Sequence, residues 1–143
     1  MQLPDVNVLL YAFRADAPKH PECKAWLESL LNGEAAYGIS PQVLSSVIRI
    51  ATHPKIYKEP SPLLEVVAFC ELLMAQPHCQ TVNPGSRHWP IFRRLLAESK
   101  AAGNLVPDAW FAAIAIEHGC EWVTADSDYG SFGGLKWRGI LRE

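Results

Sequence analysis

A chain of 143 residues, 49% hydrophobic and 20% charged, has the size and composition of one globular domain, which excludes a disordered or low-complexity protein. Its net charge of −2 provides no global basic field of the kind that advertises nucleic-acid binding, although a carboxylate cluster would mask a basic patch in that sum. Cys23, Cys70, Cys79 and Cys120 are scattered without a C-x-x-C pair, which argues against a zinc site or a disulfide framework and for buried thiols in a reducing compartment.

No apolar run approaches the length of a membrane span, and "MQLPDVNVLL" lacks the basic flank and cleavage site of a secretory signal. The expectation is a single domain over 1–143, cytoplasmic and free of the membrane.

In chain order, "MQLPDV" reads as a short strand ending near Asp5, followed by the helical "NVLLYAF". "CKAWLESLLN" places Trp26, Leu27, Leu30 and Leu31 at helical spacing, with Gly33 to stop it. "AYGIS" is a strand candidate. "SPQVLSSVIRIATHP" then offers Ser40 as a cap, Pro41 at the first helical position and Pro54 as terminator. The prolines of "HPKIYKEPSP" make a loop. Ser61, Pro62 and Pro77 repeat the cap, start and stop around "LLEVVAFCELLMAQ". "CQTV" is a strand and "SRHWPIFRRLLAESKAAG" a helix running to Gly103. "VPDAWFAAIAIEHG" is apolar nearly all round and so belongs between layers. "CEWVTA" is a strand, and "LKWRGIL" supplies a last short one. Alternating strands and helices predict an α/β fold, a three-layer αβα sandwich on a mainly parallel sheet of four to five strands.

In open α/β sheets, ligands sit outside the carboxyl ends of the strands. Asp5 stands at the end of the first strand, and Asp126 and Asp128 stand just past the end of "CEWVTA". Asp108 lies in the first turn of the buried helix. Four of the chain's five aspartates thus converge on one rim. Each has an ordinary explanation: the helix dipole favours Asp108, turn chemistry favours Asp126 and Asp128, and Asp5 can cap a helix. Serine or threonine would cap as well without like-charge repulsion, however, and clustered carboxylates destabilise one another unless a cation sits among them. Oxygen donors favour Mg²⁺ or Mn²⁺ over zinc. A hard divalent cation of this kind acts on phosphate. With no Gly-rich phosphate loop in the sequence, hydrolysis of a phosphodiester is the simpler reading.

In order and spacing, "LPDVNVLLYAF", "LVPDAWFAAIAIEHG" and "VTADSDYGSF" resemble the motifs of the PIN-domain ribonucleases, and more narrowly those of the VapC toxins of bacterial toxin–antitoxin modules. The resemblance covers essentially the whole chain. It implies a PIN-like fold and a Mg²⁺-dependent endoribonuclease in which Mn²⁺ substitutes. It also implies a homodimer and a cognate VapB-type antitoxin whose C-terminal segment covers the active site. Carried over by motif, Asp5, Asp108 and Asp126 are metal ligands, Asp128 is a further catalytic carboxylate, and Asn7 and Thr124 orient the ligands.

One part of the family pattern is missing. Many members carry a glutamate on the helix after the second strand, whereas this chain has no acid between Glu34 and Glu59. Ser45 and Ser46 occupy the place, which implies a leaner site, with one ion and with Ser46 acting through water. Glu117 is no substitute, because it lies nine residues beyond Asp108, out of phase and about 13 Å along the helix. Its expected role is a helix-end or interface contact.

Arg14, Lys55, Lys58, Arg87, Arg93 and Arg94 are candidate phosphate contacts. Arg49 is expected to pair with an acid of the site or of the antitoxin. The alternative function is a degenerate PIN domain that binds RNA or antitoxin without cutting. A third reading, an aspartyl-phosphate phosphatase built on "DVN", wants an acid where Asn7 stands.

Overall fold

The computed structural model describes residues 1–126 and 128–140, the side chain of Asp128 excepted. β1 (Gln2–Pro4) leads through α1 (Val6–Phe13) and α2 (His20–Asn32) to β2 (Tyr37–Ile39), and then through α3 (Pro41–Ala51) and α4 (Leu63–Ala75) to β3 (Cys79–Thr81). α5 (His88–Ser99) and α6 (Leu105–His118) lead to β4 (Glu121–Thr124). A 3₁₀ turn at Asp128–Ser131 then precedes β5 (Trp137–Gly139).

The five strands are all parallel, in the order β3-β2-β1-β4-β5. α1 packs on α2 and α3, α3 packs on α4, and α5 pairs with α6. The result is the expected αβα sandwich, with the sheet at the upper end of the expected strand number. β1 is central because its few residues, "QLP", are flanked by β2 and β4. Pro4 has no N–H to offer the ladder. The next N–H, from Asp5, makes the closing bond to the Val123 carbonyl at 2.8 Å. After β3 the chain crosses back to the other side of β1, so the strand order reverses between β1 and β4. A crevice outside the strand ends belongs at that point.

Alanines hold α6 against the sheet. Ala109, Ala112, Ala113 and Ala115 are fully buried, and their small side chains let the helix axis come close. Phe111 stacks on the buried Trp122 of β4, with ring centroids 5.8 Å apart. That contact fixes the rotation of α6 and so the direction in which its first turn faces.

Several boundaries differ from expectation for identifiable reasons. Ser40 occupies the N-cap of α3, but its hydroxyl makes no capping bond and is buried without a partner. Ser61 does not cap α4. Pro62 takes that position, and the Ser61 hydroxyl accepts from Arg14 Nη1 at 2.9 Å instead. α5 stops short of Gly103 because Lys100 enters the left-handed region at φ 54° and closes the helix itself. Among the described residues no helix is long and apolar enough to cross a membrane.

Candidate functional site

Asp5 links the sheet to α1. It follows β1, takes the N-cap of α1, and its Oδ1 accepts from the Val6 N–H at 2.6 Å. Both roles suggested by its place in the sequence, cap and rim carboxylate, belong to the same side chain. Its other oxygen, Oδ2, accepts from the Thr124 hydroxyl at 2.7 Å. Thr124 ends β4, the neighbouring strand, and its hydroxyl oxygen accepts in turn from the Asp126 N–H at 3.0 Å and from Asn7 Nδ2 at 3.4 Å. Asn7 Oδ1 accepts from the Ala125 N–H at 3.1 Å. The ends of two adjacent parallel strands are thereby tied together by the side chains of Asp5, Asn7 and Thr124.

Asp5, Asp108 and Asp126 line one cleft of about 460 Å³ with Asn7, Ser46 and Arg49. Asp108 projects from the first turn of α6 and accepts from the Tyr129 hydroxyl at 3.2 Å. Asp5 is only 5% exposed. Burial pushes its carboxyl up, the Thr124 hydroxyl and the Val6 N–H pull it down, and the charge of Asp108 raises it again, leaving it at about 6. The shift comes chiefly from desolvation, and the neighbouring carboxylate adds to it.

The donor set suits a hard cation. The cleft lining offers carboxylate, amide and hydroxyl oxygens, with no histidine or cysteine among its described residues. Among the described residues no three acidic, histidine or cysteine side chains stand close enough to close on one ion by themselves. Mg²⁺ does not require such a cage, since it is commonly held by one or two carboxylates and keeps several of its waters. The residues fit that ion and not a structural zinc. The side chain of Asp128 lies outside the described residues.

The α3 wall of the cleft carries Ser46 and Arg49, and no acid. Arg49 is exposed and makes no ion pair among the described residues. Arg14 departs from expectation. It is 8% exposed and grips Asp16 by two bonds of 2.9 and 2.7 Å, so it is a structural clamp and not a surface phosphate contact. Its guanidinium also covers the Tyr57 ring at 3.6 Å and donates to the Glu59 carbonyl, pinning the proline-rich loop. Arg87 and Arg94 are likewise engaged, with the Glu117 carbonyl and with Glu98 and Gly133.

Glu117 faces away from the cleft, as its helical phase requires. Its carboxylate accepts from the N–H groups of Gly85 at 2.7 Å and Arg87 at 2.9 Å, at the entry to α5. Burial opposes its ionisation, but those two N–H groups, together with the neighbouring His118 and His88, outweigh it and hold the carboxyl below its ordinary range.

Two residues at the rim escape a sequence reading. Lys19 Nζ donates to the Ala125 carbonyl at 3.4 Å, bringing a cation to the turn that carries Asp126. Tyr129 sits within the quoted "DSDYGSF", yet an aromatic after a strand reads as packing, and only the folded 3₁₀ turn aims its hydroxyl at Asp108.

The PIN domain family model matches residues 3–135. Ribonuclease VapC31 of Mycobacterium tuberculosis is 41% identical over 136 residues, 95% of this chain and 96% of that protein. Ribonuclease VapC33 of the same organism is 34% identical over the full length of both chains. Among solved structures, VapBC2 from Rickettsia felis bound to a promoter DNA fragment superposes with a TM-score of 0.69 at 15% identity, covering 96% of this chain and 97% of that one. The Mycobacterium tuberculosis VapC20, described as a sarcin-ricin loop cleaving toxin, gives 0.63 at 13% identity over 92% of each chain. The structural likenesses carry the fold and the sequence matches carry the lineage: this chain belongs to the PIN-domain family, in its VapC branch.

Proposed function

We propose that this chain is a metal-dependent endoribonuclease, the toxic partner of a VapB-type antitoxin, working as one PIN domain in the cytoplasm and pairing as a homodimer. The observation that carries this reading is the meeting of Asp5, Asp108 and Asp126 in one cleft at the strand-order reversal. They come from three separate segments of the chain. The names of relatives such as the VapC31 and VapC25 ribonucleases, and the toxin–antitoxin complexes among its structural neighbours, support the same reading.

In this scheme Asp5, Asp108 and Asp126 would hold Mg²⁺, or Mn²⁺ in its place, one or two of them directly and the rest through its waters, and Asp128 would add a further carboxylate at the same turn. The bound ion supplies charge neutralisation at a phosphate oxygen and acidifies water for attack. The chain's own residues do the rest. Thr124 and the Val6 N–H hold both oxygens of Asp5 in place, and Asn7 fixes the turn that carries Asp126. Ser46 offers a hydroxyl to water on the α3 wall. Arg49, exposed beside the acids, draws the phosphodiester of a single-stranded RNA into the cleft. The Asp5 carboxyl, poised near 6 without a cation, becomes fully ionised when one is bound.

Incubating the purified chain with RNA tests the reading. Cleavage should require Mg²⁺ or Mn²⁺, stop with EDTA, and vanish in Asp5→Ala while RNA binding persists. RNA bound but uncut by the wild type at saturating metal would instead favour a non-cutting PIN domain.

A further inference from the structure

The Tyr129 ring is 1% exposed and packs in an apolar cluster, 5.6 Å from Trp122 and 5.8 Å from Phe132 by ring centroid. A phenylalanine would fill the same space. What the tyrosine adds is a hydroxyl, and a hydroxyl placed in so dry an environment needs a partner. It donates to Asp108 Oδ1 at 3.2 Å.

These groups come from three elements: Asp5 from the end of β1, Asp108 from the first turn of α6, and Tyr129 from the 3₁₀ turn after β4. Two carboxylates that face one cleft repel each other, and repulsion between side chains on separate elements is relieved by swinging apart. A neutral donor anchored in the core opposes that motion without adding charge. Groups that orient a metal-binding carboxylate in this way are worth about 10–100-fold in metal affinity.

We propose that Tyr129 is a positioning residue whose buried hydroxyl holds the Asp108 carboxylate beside Asp5, presetting the pair for a divalent cation. The proposal rests on the metal-dependent reading above. Its action is through Asp108, and the hydroxyl itself touches neither cation nor RNA.

Mn²⁺ titrated calorimetrically into the full chain tests it, with wild type, Tyr129→Phe, Asp108→Ala and the packing control Phe132→Leu compared. Wild type should bind and Asp108→Ala should not. Tyr129→Phe should bind about 10-fold more weakly at unchanged stoichiometry, and Phe132→Leu should match wild type. In cleavage assays the half-saturating Mn²⁺ for Tyr129→Phe should rise by the same factor. Excess Mn²⁺ should restore kcat to within about twofold with KM for RNA unchanged, a rescue that a purely structural defect would not show. Mn²⁺ affinity of Tyr129→Phe within about twofold of wild type, or a kcat loss that metal does not restore, would overturn the role of the hydroxyl alone. A wild type that binds no Mn²⁺ would overturn the metal-dependent reading and this proposal with it.

Discussion

The Thr124 hydroxyl donates to Asp5 Oδ2 at 2.7 Å across two adjacent parallel strands, while its oxygen accepts from the Asp126 N–H at 3.0 Å. One buried threonine therefore positions two of the three candidate metal ligands. Thr124→Val keeps the shape, deletes both bonds and leaves a buried carboxylate oxygen short of a donor. It should lose about 1–3 kcal/mol of stability and about 10–100-fold in cleavage rate, read by urea denaturation and by RNA cleavage. Thr124→Ser, which keeps the hydroxyl, should recover most of both.

Asp5 makes the metal-free protein sensitive to pH. Its folded-state pKa of about 6 stands above the ordinary 3.8, so folding favours the protonated form. The associated stability is fully present below pH 3.8, is lost as pH rises through 6, and amounts to at most about 3 kcal/mol. In EDTA, wild type should lose stability relative to Asp5→Asn between pH 4.5 and 7, measured by denaturant midpoints at each pH. A constant difference between the two proteins across that window would contradict the assignment.

Arg49, which lines the cleft, and Arg14, which does not, should separate cleanly. Arg49 is exposed on the α3 wall, and the proposed function makes it a phosphate contact. Arg49→Ala should weaken RNA binding and lower the slope of log affinity against log salt by about one. Arg14 is buried and committed to Asp16, Ser61, Glu59 and the Tyr57 ring. Arg14→Ala should cost about 2 kcal/mol through lost packing and hydrogen bonds and leave the salt slope unchanged.

Glu117 should matter to folding and not to the metal. A Cβ added at Gly85 would lie 2.6 Å from Glu117 Oε2, so Gly85→Ala must push the carboxylate off the N–H groups it accepts from. A destabilisation of about 1–3 kcal/mol follows for Gly85→Ala and for Glu117→Leu, seen as a lower Tm. Mn²⁺ affinity should be unchanged, because Glu117 sits about 13 Å along the helix from Asp108.

What was legible in the sequence depended on whether a residue's role is set locally. Asp5, Asp108 and Asp126 each stand at the start or end of an element, and parallel strands bring such positions to one rim whatever the loops do. A mainly parallel sheet of four to five strands followed from the alternation of elements, whereas the order β3-β2-β1-β4-β5 is set by long-range pairing that the alternation does not encode. Ser61 misled because its hydroxyl is claimed by Arg14, 47 positions away in the chain, and Arg14 misled because burial of a cation is decided by tertiary contacts. The end of α5 moved because Lys100 itself adopts a left-handed conformation, which composition does not advertise. Tyr129 was invisible for a related reason: one rotation of the 3₁₀ turn would aim its hydroxyl at solvent.

The most direct measurement is single-turnover RNA cleavage as a function of Mn²⁺ for wild type, Asp5→Asn, Asp108→Asn and Asp126→Asn. Each variant should cleave at least about 100-fold more slowly than wild type at physiological metal, with folding intact by circular dichroism. Wild-type cleavage that persists in EDTA, or that survives all three substitutions, would contradict a carboxylate-held metal as the centre of this protein's function.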